Sequence, residues 1–476
     1  MPRPADHRPL LVVGVLATCG LTVSLMQTLV VPLLPRFPQL LATTPATVSW
    51  LLTANLIAGA VTTPLLGRLG DMYGKRRMLL VALGFLVLGS GLAATAPDIG
   101  TLIAARALQG AGFGVISLGM SIIRDVLPPA RVGAGVGLMS SSLGVGGAVG
   151  LPITGVVAHV ASWRPLFAAA ALFGLFLVVL VALVVPESAV RTGGRFDLIG
   201  AAGLAAALTC VLLAISKGNE WGWASPAVLC LFGGALVLFP VWGAWEWRAR
   251  RPLVDLRVNA RPAVLWTNVS AVLAGFSMFA CFVVITQLLQ APPGTGYGFG
   301  LPLAVAGAVL VPVGVAMTVF SPLSARLSRA RGARTTVLTG VALMIGGNLG
   351  LASVPRSVVL LMVATTVTAS GTALVYAALP LMIMDAVPAT ETGSANGLNT
   401  LARMLGTSTC SAFIAAVSSG LVTDVGGQVW PATAAYTAIF ATAAAAALVA
   451  GLIVAVSPAG RTPVDAPRPA EQQVPA

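Results

Sequence analysis

The feature that most constrains this chain is the recurrence of apolar runs about as long as a bilayer is thick. A helix needs about 20 predominantly apolar residues to cross the hydrocarbon. By that measure roughly fourteen runs qualify, near 10–35, 47–66, 78–96, 100–123, 134–158, 165–185, 197–215, 226–246, 264–290, 301–323, 336–353, 357–383, 396–420 and 434–457. Apolar residues make up 57% and charged residues 9%, where water-soluble domains average about 45–50% and about 25%. The chain is read as an all-α polytopic membrane protein. Its first run, Leu10 to Pro35, is long enough to span and stay rather than be cleaved as a signal.

The charges test the count. The net charge of +13 does not mark a nucleic-acid binder, because the cations sit in short loops between apolar runs and read as topology signals. With the N-terminus placed in the cytoplasm, Arg3, Arg8, the 68–77 cluster, Arg124, Arg131, Arg191, Arg195, Arg248, Arg250, Arg251, Arg257, Arg261, Arg326, Arg329, Arg331, Arg334, Arg461 and Arg468 all fall inside. Arg36, Arg164, Lys217 and Arg356 fall outside, while Arg106 and Arg403 lie within spans. An error of one helix would scramble this segregation. An even count with both ends cytoplasmic is the expectation.

The chain also repeats. Pro64-Leu65-Leu66-Gly67-Arg68-Leu69, then Gly74, Arg76 and Leu80, returns as Pro322-Leu323-Ser324-Ala325-Arg326-Leu327, then Gly332, Arg334 and Leu338. Asp125, Pro128, Gly133, Gly137 and Leu138 return as Asp385, Pro388, Gly393, Gly397 and Leu398. Two halves in the same orientation imply parallel repeats about an axis along the membrane normal.

Enzyme chemistry finds no foothold. There is no phosphate-cradling G-x-x-x-x-G-K-[ST], and no nucleophile–base pair within the spans. His7 and His159 are the only histidines, and the five cysteines lack metal-ligand spacing, so neither a metal nor a cofactor is expected. A channel would show repeat-symmetric polar filter loops, which are absent.

The stretch Gly67-Arg68-Leu69-Gly70-Asp71-Met72-Tyr73-Gly74-Lys75-Arg76-Arg77 is charged, glycine-rich and wedged between apolar runs, so it is expected to form a tight loop at a membrane face. It resembles the loop between the second and third helices of major facilitator superfamily transporters, of pattern G-x-L-a-D-r-x-G-r-k. Fourteen spans resemble the superfamily's drug/proton antiporter branch. The resemblance implies two six-helix bundles plus two extra central helices. The expected division is a cytoplasmic N-terminus (1–9), an N-terminal bundle (10–190), the two added spans with a basic loop (191–262), a C-terminal bundle (263–457) and a disordered, proline-rich cytoplasmic tail (458–476).

The same resemblance assigns expected roles. Gly67, Asp71, Gly74, Lys75 and Arg76 form the conformational motif, with Asp71 near a helix N-terminus and in contact with basic residues across the halves. The second-half copy has Arg329 in its place. Arg106, Gln109 and Gly110 resemble the family's fourth-helix R-x-x-q-G, which implies a part for Arg106 in substrate or proton coupling. Gly147, Pro152 and Gly155 resemble the antiporter motif g-x-x-x-G-P-x-x-G-G, with Leu151 and Val156 replacing glycines. In the first span, fourteen-span relatives often read l-D-x-T-i-v-n-v-A-l-P, and Met26 stands where that acid belongs. No Asp or Glu lies near the middle of any expected span, so Arg106 and Arg403 want partners.

Gln27, Asn55, Gln109, Asn268, Gln287, Gln290, Tyr376 and Asn399 are the expected cavity or substrate residues, being polar or aromatic within apolar runs, as is Arg403. The expected protein is a plasma-membrane carrier, a monomer in the lipid bilayer. It would export small hydrophobic compounds by alternating access, coupled to protons, with neutral or anionic compounds preferred over cations. Metabolite uptake or facilitated diffusion on the same fold, and a transporter-like sensor without flux, are the alternatives.

Overall fold

The computed structural model describes residues 9–457 apart from 31–32, 35–36, 129–130, 141, 143–144, 147–149, 151–162, 189–190, 192, 194–195, 250–251, 355 and 426–427. Thirteen helices among the described residues are long and apolar enough to cross a membrane. In chain order they are α1 (Pro9–Thr28), α2 (Pro45–Tyr73), α3 (Lys75–Thr95), α4 (Ile99–Val126, broken at Gly112 and Phe113), α6 (Arg164–Val184), α7 (Leu198–Trp221), α8 (Pro226–Arg248), α9 (Pro262–Gln290), α10 (Val305–Arg331), α11 (Ala333–Ala352), α12 (Val358–Ala386), α13 (Thr392–Gly420) and α14 (Thr433–Val456). Helix α5 begins at 131–140, and most of its expected course lies outside the described residues. A two-stranded hairpin, β1 (Val422–Val425) and β2 (Gln428–Pro431), joins α13 to α14.

Local chemistry sets the starts. Thr44, Asp98, Asp197 and Ser225 each take a first-turn amide on the side-chain oxygen, satisfying an amide the helix itself cannot. Three backbone N–H and hydroxyl donors hold Asp98 below the usual carboxylate range, the Thr101 amide foremost. Helix α1 stops at Thr28, four residues before Pro32, which has no amide hydrogen to give.

The buried apolar residues form one large core almost wholly from positions before 255 and three others from positions after 257. Among the described residues, two of the contacts that join these halves are copies of each other. At one, Gly397 of α13 lies against Thr63 and Pro64 of α2; at the other, Gly137 of α5 lies against Ser321 of α10. Thr63–Pro64 and Ser321–Pro322 are equivalent positions of the repeat, as are Gly397 and Gly137. Small residues at both places let backbones meet without a Cβ between them.

Helices α7 and α8 pack on each other, with the Trp242 indole N–H donating to the Gly200 carbonyl at 2.9 Å. Helix α7 also packs on α2 and α13, so it touches both halves. Helix α8 lies outermost and exposes Leu229, Leu236, Val237 and Val241, the apolar surface a lipid-facing helix presents.

The expected loop at 67–77 is corrected by the structure. Helix continues through Asp71 to Tyr73 and resumes at Lys75, so Gly74 alone leaves it, at φ +118°. Only a residue without Cβ adopts that conformation cheaply. A Cβ there would also lie 2.7 Å from the Glu187 carboxylate. The expected seventh span is likewise longer than 197–215: Lys217, expected outside, lies within α7 and is fully buried.

Candidate functional site

The α2–α13 crossing closes the halves at one face. Asp71 is buried and accepts the amides of Gly393 at 3.0 Å and Ser394 at 2.8 Å. Those amides belong to the first turn of α13, which has no internal acceptors for them and carries partial positive charge. The resemblance led to basic side chains as partners of Asp71; the structure adds the amides of a helix N-terminus across the halves. Gly67 makes the approach possible, since a Cβ there would lie 2.5 Å from the Gly393 carbonyl oxygen. Glu391, just before α13, has its carboxyl raised by burial and by Asp255, against the pull of Arg68 and Arg261.

The basic run beside Asp71 does more than mark a face. Lys75 is fully buried, and its ammonium donates to Asp125 at 2.8 Å and to the Thr392 hydroxyl at 3.5 Å. Asp125 also accepts the Ser188 hydroxyl at 2.6 Å. The Arg76 amide donates to Glu187 at 3.1 Å, and its guanidinium donates to the Ala182 carbonyl. Glu187 thereby caps α3. A stretch expected to be a tight loop at a membrane face is a packed ionic joint within helices, because burying a cation demands a countercharge and lone pairs at hand.

Arg106 is fully buried among α1, α2 and its own helix. Its Nη1 donates to the Met26 carbonyl at 2.9 Å and the Gln109 amide oxygen at 2.7 Å, and its Nε donates to the Leu51 carbonyl at 3.3 Å. Met26 is in the last turn of α1, whose carbonyls lack helical partners. The guanidinium therefore caps α1 at the residue that replaces the relatives' acid. Gln109 passes the network to the Ser90 hydroxyl at 2.9 Å. Gly110 lies against the Asn55 backbone of α2.

Arg403 lies in the C-terminal half under other conditions. Its Nη2 donates to the Thr400 hydroxyl at 3.1 Å, and its guanidinium carbon stands 4.9 Å from the centre of the Tyr376 ring. Asn268 accepts from Asn399 at 3.1 Å. Asn55 and Tyr376 are buried, while Gln27 is half-buried at the end of α1.

Away from the Asp71 face the halves part. A cavity of about 80 Å³ separates Thr53 and Ile57 of α2 from Ser408 and Ala412 of α13, with Ile215 and Asn219 of α7 on its third side. A larger cavity of about 550 Å³ lies between α9 and α13 beneath β2, lined by Gln287, Gln290, Ser411, Ser418, Trp430 and Tyr436. That volume suits a drug-sized molecule. Of the expected cavity residues, Gln287 and Gln290 line it. Arg106, Gln27, Asn55 and Gln109 gather in the N-terminal half, and Asn268, Tyr376 and Arg403 in the C-terminal half. Gly147, Pro152 and Gly155 lie outside the described residues.

The sequence reading missed Lys217. Its ammonium donates to Glu220 at 2.8 Å, to the Ala46 carbonyl at 3.3 Å and to the Ser49 hydroxyl, and stands 4.6 Å from the Trp50 ring centre. The Thr53 and Ser216 hydroxyls meet at 2.6 Å beside it. The signal available was Glu220 three residues on, an i, i+3 ion pair on a helix face.

Comparison with known proteins bears on this geometry. Residues 16–411 match the family described as Major Facilitator Superfamily. The multidrug resistance protein Stp of Mycobacterium tuberculosis (strain CDC 1551 / Oshkosh) is 27% identical over 360 residues, 75% of this chain and 66% of that protein. The chain thus spans a little under two-thirds of that relative's length. The tetracenomycin C resistance and export protein of Streptomyces glaucescens is 26% identical over 446 residues, 93% of this chain and 81% of that one. Among solved structures, the human organic anion transporter MFSD10 (TETRAN) superposes with a TM-score of 0.65 at 18% identity, covering 94% of this chain and 99% of its own. That likeness carries the fold alone.

Proposed function

The chain belongs to the major facilitator superfamily, and on that premise we propose that it exports small hydrophobic compounds, drugs or antibiotics among them, by alternating access. The observation that carries the reading is the asymmetry between the two faces. The halves are latched at the Asp71 face through Asp71, Gly393 and Ser394, while cavities lie between helices towards the other. A carrier that rocks its halves about a central site needs such a pair of unequal faces. The names of the relatives, multidrug resistance and tetracenomycin export, support the outward direction.

In this reading the cation-rich Asp71 face is cytoplasmic by the positive-inside rule, and both termini lie on that side of the plasma membrane. The form described here then faces outward, with its inner gate shut. Asp71 holds the gate, Gly67, Gly74, Lys75 and Arg76 shape it, and Arg106 and Arg403 serve coupling or substrate. The chain acts as a monomer in the bilayer, and proton influx drives export.

The test is efflux of a fluorescent hydrophobic dye from intact cells expressing the chain, with and without a protonophore. Dye export that collapses with the proton gradient is the expected result. Export that persists removes the proton, and no flux for any of a panel of dyes removes the carrier reading.

A further inference from the structure

We propose that Arg403 and Tyr376 form a binding subsite for the carboxylate of an amphipathic compound. Asn396, Asn399, Thr400 and Arg403 recur at the spacing that lines one face of a helix, and all four are buried on α13. Asn399 and Thr400 are tied to Asn268 and to the Asn396 carbonyl, at 3.1 and 2.9 Å. The hydrogen bonding of this stripe is unfinished at the Asn396 side chain and at Asn399 Oδ1, and again at its end. Arg403 Nη1 and the Tyr376 hydroxyl are both buried without a hydrogen-bond partner. Both are donors, and they stand together, because the guanidinium lies over the Tyr376 ring. A buried donor left unpaired costs the full loss of its hydration.

The charge balance points the same way. Among the described residues no carboxylate forms an ion pair with Arg403. Its contacts are one neutral hydroxyl and one aromatic face. Arg106 is better satisfied, since two backbone carbonyls and an amide oxygen accept from it, one of them at the negative end of α1, and only its Nη2 is left unpaired. Arg403, with a single accepting hydroxyl, has the larger share of its hydrogen bonding and its charge still to satisfy. A carboxylate supplies it: one oxygen accepts from Nη1 and the other from the tyrosine hydroxyl, both charge-assisted bonds. The Phe276 and Phe413 rings, 5.6 Å apart further along α9 and α13, offer apolar surface to the body of such a compound. A phosphate or a bare inorganic anion would leave that surface unused.

The subsite rests on the carrier reading above, so its test separates the two. The probes are 1-pyrenebutyrate and its neutral amide, which share one apolar body and differ in charge. Binding of each to the purified full-length chain is read by pyrene fluorescence, and flux of each is read separately in proteoliposomes. The wild type should bind the carboxylate about tenfold or more tightly than the amide, as a charge-assisted pair in a buried site implies. Arg403→Gln should erase that preference and leave amide affinity within about twofold, and Tyr376→Phe should reduce it by about three- to tenfold. Should Arg403→Gln fail to fold, Tyr376→Phe carries the test, because it keeps both charge and ring. A wild type that binds both probes equally, or a preference that survives either substitution, overturns the subsite. A preference without flux leaves the subsite standing and removes the carrier.

Discussion

Arg106 and Arg403 take the same charge into the bilayer and meet different surroundings. Arg106 finishes the end of α1, so its loss strands the Met26 and Leu51 carbonyls. Arg106→Gln should lower stability by about 1–3 kcal/mol, the cost of leaving buried polar groups unpaired, seen as a lower melting temperature in detergent. It should shift the carboxylate-over-amide binding ratio less than Arg403→Gln does. Asp71 is a second residue whose charge faces a helix end. Asp71→Asn keeps the shape but gives up the charge against the α13 N-terminus, an interaction of about 1–2 kcal/mol when partly buried. The population open at that face should rise about fivefold or more, since such an energy biases a two-state equilibrium directly. Spin-label distances between positions 77 and 331, in a background free of the native cysteines, would read it. Both residues stand out in the sequence, as charges beside or within apolar runs. Gln109, three residues on in the same motif, was a legible partner of Arg106; what the sequence withheld were the backbone partners, the carbonyls of Met26 and Leu51 and the amides of Gly393 and Ser394. Backbone groups carry no residue type, so no spacing announces them.

The helices themselves were legible wherever apolar length decides, and the repeat showed two halves in the same orientation, though not that its glycines meet the other half. The misread places are those where packing changes what a charge means. The 67–77 stretch looks like a loop because it is polar and glycine-rich, yet Lys75 is neutralised by Asp125 and helix runs almost unbroken. Lys217 looks like a loop cation for the same reason, and Glu220 lets α7 bury it. Two tests follow at this scale. Gly67→Ala places a Cβ against the Gly393 backbone and should force the α2–α13 crossing apart, abolishing flux and lengthening the 77–331 distance. Gly84→Ala, where nothing lies within 4 Å of the new Cβ, should leave flux unchanged and stabilise α3 by about 0.5–1 kcal/mol from helix propensity. Lys217→Met should destabilise the fold by about 1–3 kcal/mol by leaving Glu220 without its cation, with only the Ser49 hydroxyl still donating to it. Lys217→Met with Glu220→Gln should recover part of that loss, because a paired removal leaves no lone charge. Thermal unfolding of the two variants checks it.

At the scale of the molecule, a symmetric pair of crossings helps join the two halves, and Asp71 sits at the α2–α13 member where the counterpart position is Arg329. In the proposed carrier cycle the halves would rock about these matched glycine contacts while Asp71 biases the direction. The placement of Arg106 reaches beyond transport, into the order in which the chain is made. An arginine near the middle of a span opposes insertion by about 2.5–3.5 kcal/mol. Its acceptors outside α4, the Met26 and Leu51 carbonyls, belong to α1 and α2, which a ribosome delivers first. Helix α4 can thus leave the translocon onto partners already waiting, and its membrane entry is a cooperative event rather than a property of its own hydrophobicity. Glycosylation mapping in microsomes should find α4 poorly inserted as an isolated segment and well inserted when α1 to α3 precede it, with Arg106→Leu removing the difference.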